Sequence, residues 1–135
     1  VALVVLDPIH QSVEWINAGH PAPLIISPTD PPQELGVTGP LLSTLGGNWR
    51  AESMALKPDE LIVLCTDGIT ESHDGDGEQL ENEGLISLVT ASRIAGASAP
   101  ADVVAHVLAA ARDRARDWDR DDVTLVVATL DSLPG

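Results

Sequence analysis

Two places in this 135-residue chain put carboxylates where an apolar run meets a polar one. Thr66-Asp67-Gly68 stops the run Leu61 to Thr66, and Asp121-Asp122 immediately precedes the run Val123 to Leu130. Carboxylate oxygens suit hard divalent cations such as Mg²⁺ and Mn²⁺, which keep several of their waters, so two or three aspartates on a rigid rim are a sufficient protein contribution. Glycine after Asp67 would let the backbone approach an ion closely. The same residues also have a plainer reading: Asp-Gly is a common turn, and Asp-Asp at a strand entrance is often simply solvated. Pattern alone leaves both readings open. The acidic stretch Asp74-Gly75-Asp76-Gly77-Glu78 does not make a calcium loop, because the EF-hand register would need Gly at Gln79 and Glu at Leu85. His20, beside Gly19, has the chemistry of a general acid or a metal ligand; we read it as structural, and Asn17 and Gly19 as turn formers.

The elements that must position Asp67 and Asp121 follow from the hydrophobic pattern. Val1 to Leu6 and Val13 to Asn17, separated by Asp7-Pro8 and polar residues, suit a hairpin. Leu24-Ile25-Ile26 is a third strand, ended by the Pro- and Asp-rich residues Ser27 to Pro32, and residues 28 to 48 read mostly as loop. Trp49 to Leu56 alternates only loosely, as a strand, and Lys57-Pro58-Asp59-Glu60 makes a turn. Leu61 to Thr66 is short, continuous and apolar, which predicts a strand buried on both faces that delivers Asp67 to a loop. Leu85, Ile86, Leu88 and Val89 recur at helical spacing in a short segment. A clearer helix opens at Ser98 or Ala99 before Pro100, carries the stripe Val103, Val104, Val107, Leu108 and Ala111, and ends near Asp117. Several strands, two helices and a closing strand over Val123 to Leu130 predict an α+β layered architecture rather than alternating βαβ units. If the strands ending at Asp67 and beginning after Asp122 are antiparallel neighbours, both carboxylates meet at one sheet edge.

Composition narrows the partners. Seven Lys and Arg against 21 Asp and Glu give a formal net charge of −14, which repels phosphate backbones and anionic membrane surfaces. With three tryptophans and neither Phe nor Tyr, the core must be built from Val, Leu, Ile and Ala, and no base-stacking platform is available. We therefore expect no nucleic acid partner and no membrane insertion. The single cysteine, Cys65, sits in an apolar run and reads as a small buried hydrophobe, in keeping with a reducing cytoplasm. No apolar stretch approaches the ~18 residues of a membrane span. The length suits one domain over 1–135, and a chain that opens on a strand pattern with no initiator Met is expected to be cut from something longer.

Four ordered segments, Asn17-Ala18-Gly19-His20-Pro21-Ala22-Pro23-Leu24, Leu56-Lys57-Pro58-Asp59-Glu60-Leu61, Thr66-Asp67-Gly68-Ile69-Thr70-Glu71 and Asp121-Asp122-Val123-Thr124-Leu125, resemble in order and spacing the SpoIIE/RsbU branch of the PPM (protein phosphatase 2C-like) family. The resemblance covers residues 1 to about 130 and is most similar to the C-terminal portion of that domain. It implies antiparallel β-sheets in a β-sandwich flanked by helices, with the N-terminal strands missing from this chain. It implies a metal-dependent serine/threonine protein phosphatase of bacterial signalling, acting on a phosphorylated protein such as a STAS-domain anti-anti-sigma factor. In the family a two-metal Mn²⁺ or Mg²⁺ site acidifies a water for in-line attack on phosphorus, with no covalent phosphoenzyme. Residue by residue, the resemblance assigns metal ligation to Asp67 and Asp121, with Gly68, Asp122 and Glu71 in supporting positions and no protein nucleophile. The family's metal-bridging aspartate and a further acidic site lie in an N-terminal segment this chain lacks. A truncated, inactive phosphatase-like domain that binds a protein partner is the alternative.

Overall fold

A computed structural model describes residues 1–133, which pack as two compact units, 1–62 with the described residues from 129 on, and 63–128. In the first unit β1 (Ala2–Asp7), β2 (Ser12–Asn17) and β5 (Glu52–Ala55) form a three-stranded antiparallel sheet in the order β1-β2-β5, with Leu3 opposite Ile16 and Val13 opposite Met54. The expected hairpin is present. Its turn is held by Asp7, whose Oδ1 accepts from the backbone N–H groups of Ile9 and His10. Along β2 the period-2 pattern is explicit, with Val13, Trp15 and Asn17 buried and Glu14 exposed.

The third strand, β3 (Leu24–Ile26), is buried throughout and pairs antiparallel with β4 (Gln33–Glu34), a two-residue strand inside the segment read as loop. Asn17 organises this region. It is fully buried, its side chain closes the turn to His20 in both directions (His20 N–H to Oδ1, 2.9 Å; Nδ2 to His20 carbonyl, 3.1 Å), and its backbone N–H donates to Thr38 Oγ1. Gly19, at φ +82°, makes that turn possible. The Asn17 and Gly19 expectations hold, and the His20 ring is spent locally, with Nδ1 donating to the Pro21 carbonyl at 2.8 Å.

The second unit carries the end of β6 (Leu61–Cys65), then α1 (Asp67–Thr70), α2 (Glu81–Ile94), α3 (Pro100–Arg114), a 3₁₀ turn (Trp118–Arg120) and β7 (Leu125–Ala128) beside β6. Val103, Val107 and Ala111 of α3 and Leu85 and Val89 of α2 are buried and form the seam of this helix pair. Helix α2 ends in a Schellman arrangement: Gly96 stands at φ +98°, its N–H bonds the Arg93 carbonyl, and Ala97 N–H bonds that of Ser92.

Several boundaries differ from the sequence expectation, and β5 is shorter than the strand expected over 49–56. Asp67 opens one helical turn instead of a loop. Helix α2 runs 14 residues, beginning before its first apolar position. Helix α3 stops at Arg114 rather than near Asp117, because Arg116 and Asp117 leave the helical path to bond His73. Strand β7 is shorter than 123–130 at both ends. The Thr124 N–H is taken by a side chain, Thr66 Oγ1, and the chain passes into a 3₁₀ turn over Leu130–Ser132. The α+β class with antiparallel pairing is as expected. Removing the buried amide in Asn17→Ala should cost about 1–3 kcal/mol, because the groups it satisfies lose their partner; urea unfolding that shows no loss would contradict this account.

Candidate metal and phosphate site

The motifs that carry Asp67 and Asp121 are brought together by hydrogen bonds of their neighbours, and of the two aspartates Asp121 lines the cleft beside them. Thr66 lies at the end of β6 with its hydroxyl donating to the Asp122 carbonyl at 2.8 Å and accepting from the Thr124 N–H at 2.9 Å, while its own N–H reaches the Thr124 carbonyl at 3.1 Å. Three hydrogen bonds thus fasten one motif to the other across 56 to 58 residues of sequence. Gly68 sits directly against the Asp122 carbonyl, and any Cβ there would collide with it. Here the glycine is needed for close packing of backbone on backbone rather than for an unusual dihedral. Asp67 is the first residue of α1 and Glu71 its C-cap, both exposed. Asp121 and Asp122 are exposed after the 3₁₀ turn, Asp121 in an extended conformation, with Asp122 N–H donating to Asp121 Oδ1 at 2.7 Å.

Gly68, Glu71 and Asp121 line a cleft of about 190 Å³ together with Ser72, His73, Gln79, Asp117 and Arg120. Its far wall is the segment after α1, which α3 and its C-terminal extension hold in place. Arg114 donates to the carbonyls of Ser72, Glu78 and Gln79 and pairs with Asp74 at 3.1 Å. Asp117 grips His73 twice, accepting its backbone N–H at 2.7 Å and its ring Nδ1 at 2.9 Å. These His73 bonds hold the Asp117 carboxyl below the usual carboxylate range. The Asp74 carboxyl is lowered too, first by the Glu78 backbone N–H, with that of Asp76 and the Arg114 charge adding to it. Burial, with the Asp67 charge second, pushes the Cys65 thiol up to about 11, so this cysteine stays protonated and unreactive at neutral pH.

The donor set suits a hard cation in kind, being exposed carboxylate oxygen. In number it offers Asp67 and Asp121; among the described residues no group of three or more His, Cys, Asp or Glu is placed to enclose an ion. Sequence reasoning missed Thr66 as the fastening residue, although it stands inside the quoted motif. It also missed Arg114, His73, Asp117 and Arg120, whose partners lie 35 to 44 residues away or, for Arg120, carry no local pattern. His20 belongs to the Asn17 turn and does not line the cleft.

The sequence profile of the Stage II sporulation protein E (SpoIIE) family matches residues 1–131. The chain belongs to the SpoIIE family. Protein IcfG of Synechocystis sp. (strain ATCC 27184 / PCC 6803 / Kazusa) is 26% identical over 89 residues, 65% of this chain and 14% of that protein. The RsbU and RsbW domains of Rv1364c from Mycobacterium tuberculosis superpose with a TM-score of 0.76 at 22% identity, over 93% of this chain and 35% of that one. The phosphatase domain of the cell fate determinant SpoIIE from Bacillus subtilis gives 0.66 at 19% identity, over 100% of this chain and 60% of that one, and its manganese-presoaked form gives 0.65. The SpoIIE-family fold is therefore shared, while this chain spans only part of each relative. No helix among the described residues is long and apolar enough to cross a membrane.

Two predictions follow from this geometry. Gly68→Ala should force the Thr66 segment away from Asp122 and lower the melting temperature by several degrees in a thermal scan; a variant with unchanged melting would refute the close packing. Carboxyls with lowered native pKa values bind protons less readily than the unfolded chain, so the stability from Asp74 and Asp117 is present above about pH 3.9 and lost as pH falls through their native values. Hydrogen exchange should accordingly show the His73 amide opening at lower acid load than the Val103 amide; simultaneous opening would count against that anchoring.

Proposed function

We propose that this chain is part of a metal-dependent phosphoserine/phosphothreonine protein phosphatase of bacterial signalling. The observation that carries the reading is the fastening of the Asp67 motif to the Asp121 motif through Thr66, beside a cleft large enough for a phosphoryl group. SpoIIE-family membership and the likeness to a SpoIIE phosphatase domain support it. Asp67 and Asp121 would hold a Mn²⁺ or Mg²⁺ ion, with Gly68 giving the backbone approach and Glu71 and Asp122 flanking it. A bound divalent cation supplies neutralisation of the phosphoryl oxygens and acidification of water. The chain's own residues fix where that happens: Thr66 sets the spacing of the two motifs, and Asp117 and Arg114 hold the opposite wall.

As the protein substrate we propose a phosphorylated regulatory protein of the anti-anti-sigma (STAS) type, in the cytoplasm; the pairing of a PP2C phosphatase domain with a fragment of a regulatory domain in a SpoIIE structure from Bacillus subtilis supports a regulatory setting. We also take residues 1–135 as one stretch of a longer PPM domain, supported by their coverage of 60% of the SpoIIE phosphatase chain. The two-carboxylate donor set favours a second reading, an inactive phosphatase-like domain that binds a partner.

Mn²⁺ calorimetry and turnover of a phosphoserine peptide, on this chain and on its longer parent domain, separate the readings. Asp67→Asn or Asp121→Asn should reduce kcat/KM of the active form by about a hundredfold or more, since several kcal/mol of charge stabilisation is at stake. Metal binding without turnover in both forms would establish the second reading. Turnover that ignores metal and both substitutions would refute the ligand assignment.

A further inference from the structure

The cleft is lined by an imidazole and a guanidinium that metal ligation leaves unused. His73 and Arg120 are both tethered to one carboxylate oxygen, Asp117 Oδ2, with His73 Nδ1 at 2.9 Å and Arg120 Nη1 at 3.8 Å. Arg120 is 74% exposed and His73 31%, so both remain open to a ligand. His73 is also fixed through its backbone, its N–H on Asp117 Oδ1 and its carbonyl on the Arg116 N–H at 2.8 Å. The ring is thereby placed without using its second nitrogen. Nδ1 is engaged by Asp117, so Nε2 is the ring atom left to meet a ligand, and the guanidinium fork of Arg120 offers several N–H donors. The charged groups around the ring are Asp117 and Arg120 after α3, Glu71 and Asp121 on the cleft lining, and Asp74, already engaged by Arg114. The Arg120 cation, the His73 ring and several carboxylates thus share one small cavity, the arrangement needed where an anion meets a cation.

We propose that His73 and Arg120 form a phosphoryl-oxygen subsite that grips the phosphate dianion of a phosphoserine or phosphothreonine, with Asp117 as the positioning residue for both. The subsite rests on the phosphatase reading above and adds the residues that hold the substrate's phosphate. It also gives a role to the end of α3 at Arg114, which is what brings Asp117 to His73.

Imidazole NMR of the full chain tests it without requiring turnover. Inorganic phosphate and a phosphoserine peptide are each titrated in, with and without Mg²⁺, and the unphosphorylated peptide serves as control. We expect both phosphate ligands to shift the His73 ring signals, and Arg120→Gln and His73→Gln each to weaken binding roughly tenfold, the scale of one hydrogen bond to a charged group. Arg112→Gln, an equal change of net charge on an exposed α3 position outside the cleft, should leave affinity unchanged. A response to inorganic phosphate alone would assign the subsite to free phosphate and overturn the phosphoprotein assignment. Failure of His73 to respond under any condition, or equal losses in all three variants, would overturn the subsite. Phosphate binding at His73 in a parent domain that never hydrolyses phosphoserine would leave the subsite standing and sink the catalytic reading instead.

Discussion

Everything in the candidate site depends on one side chain's hydroxyl. Thr66 Oγ1 donates to Asp122 and accepts from Thr124, so the end of β6 and the entrance of β7 are joined by a side chain as well as by the ladder. A backbone ladder alone fixes strands to each other but tolerates fraying at its ends, where partners are replaced by water. Thr66 removes that freedom where the two carboxylates emerge. Gly68 completes the constraint by letting α1 lie flat on the Asp122 carbonyl. Both motifs are therefore joined through backbone groups and the Thr66 hydroxyl, and neither the Asp67 nor the Asp121 carboxylate takes part in joining one motif to the other.

The opposite wall is organised by the same logic with charges in place of a hydroxyl. Arg114 satisfies three carbonyls of a segment rich in glycine and acid, and Asp117 satisfies a backbone N–H and a ring nitrogen of His73. Such a segment has little apolar surface with which to pack, so its position comes from hydrogen bonds to a helix that is itself well buried. In a chain of net charge −14, the few arginines carry much of that burden.

The hydrophobic pattern made most of the fold legible. Strands β1, β2, β3 and β6 and helix α3 stand close to their expected positions because period and burial coincide there. Two of the departures, at the end of α3 and the start of β7, share one cause: residues whose partners are distant in sequence. Helix α3 was read as reaching Asp117, yet Asp117 serves His73, 44 positions earlier, and β7 was read from Val123, yet Thr124 serves Thr66. Of the site, Asp67, Gly68, Glu71 and Asp121 were legible as positions because each belongs to a short motif. The nitrogen-bearing half was not, since His73 and Arg120 belong to no motif and meet only through the path taken by the chain after α3.

The 3₁₀ turn Trp118–Arg120 has an optical consequence. With no tyrosine or phenylalanine in the chain and tryptophans only at 15, 49 and 118, all intrinsic emission of the second unit arises from one indole. That indole stands three residues before Asp121 and adjoins Asp117, on the very turn that carries Arg120. Replacing Trp15 and Trp49 would leave a chain whose fluorescence reports on the cleft segment alone, a built-in spectroscopic probe needing no dye and no label.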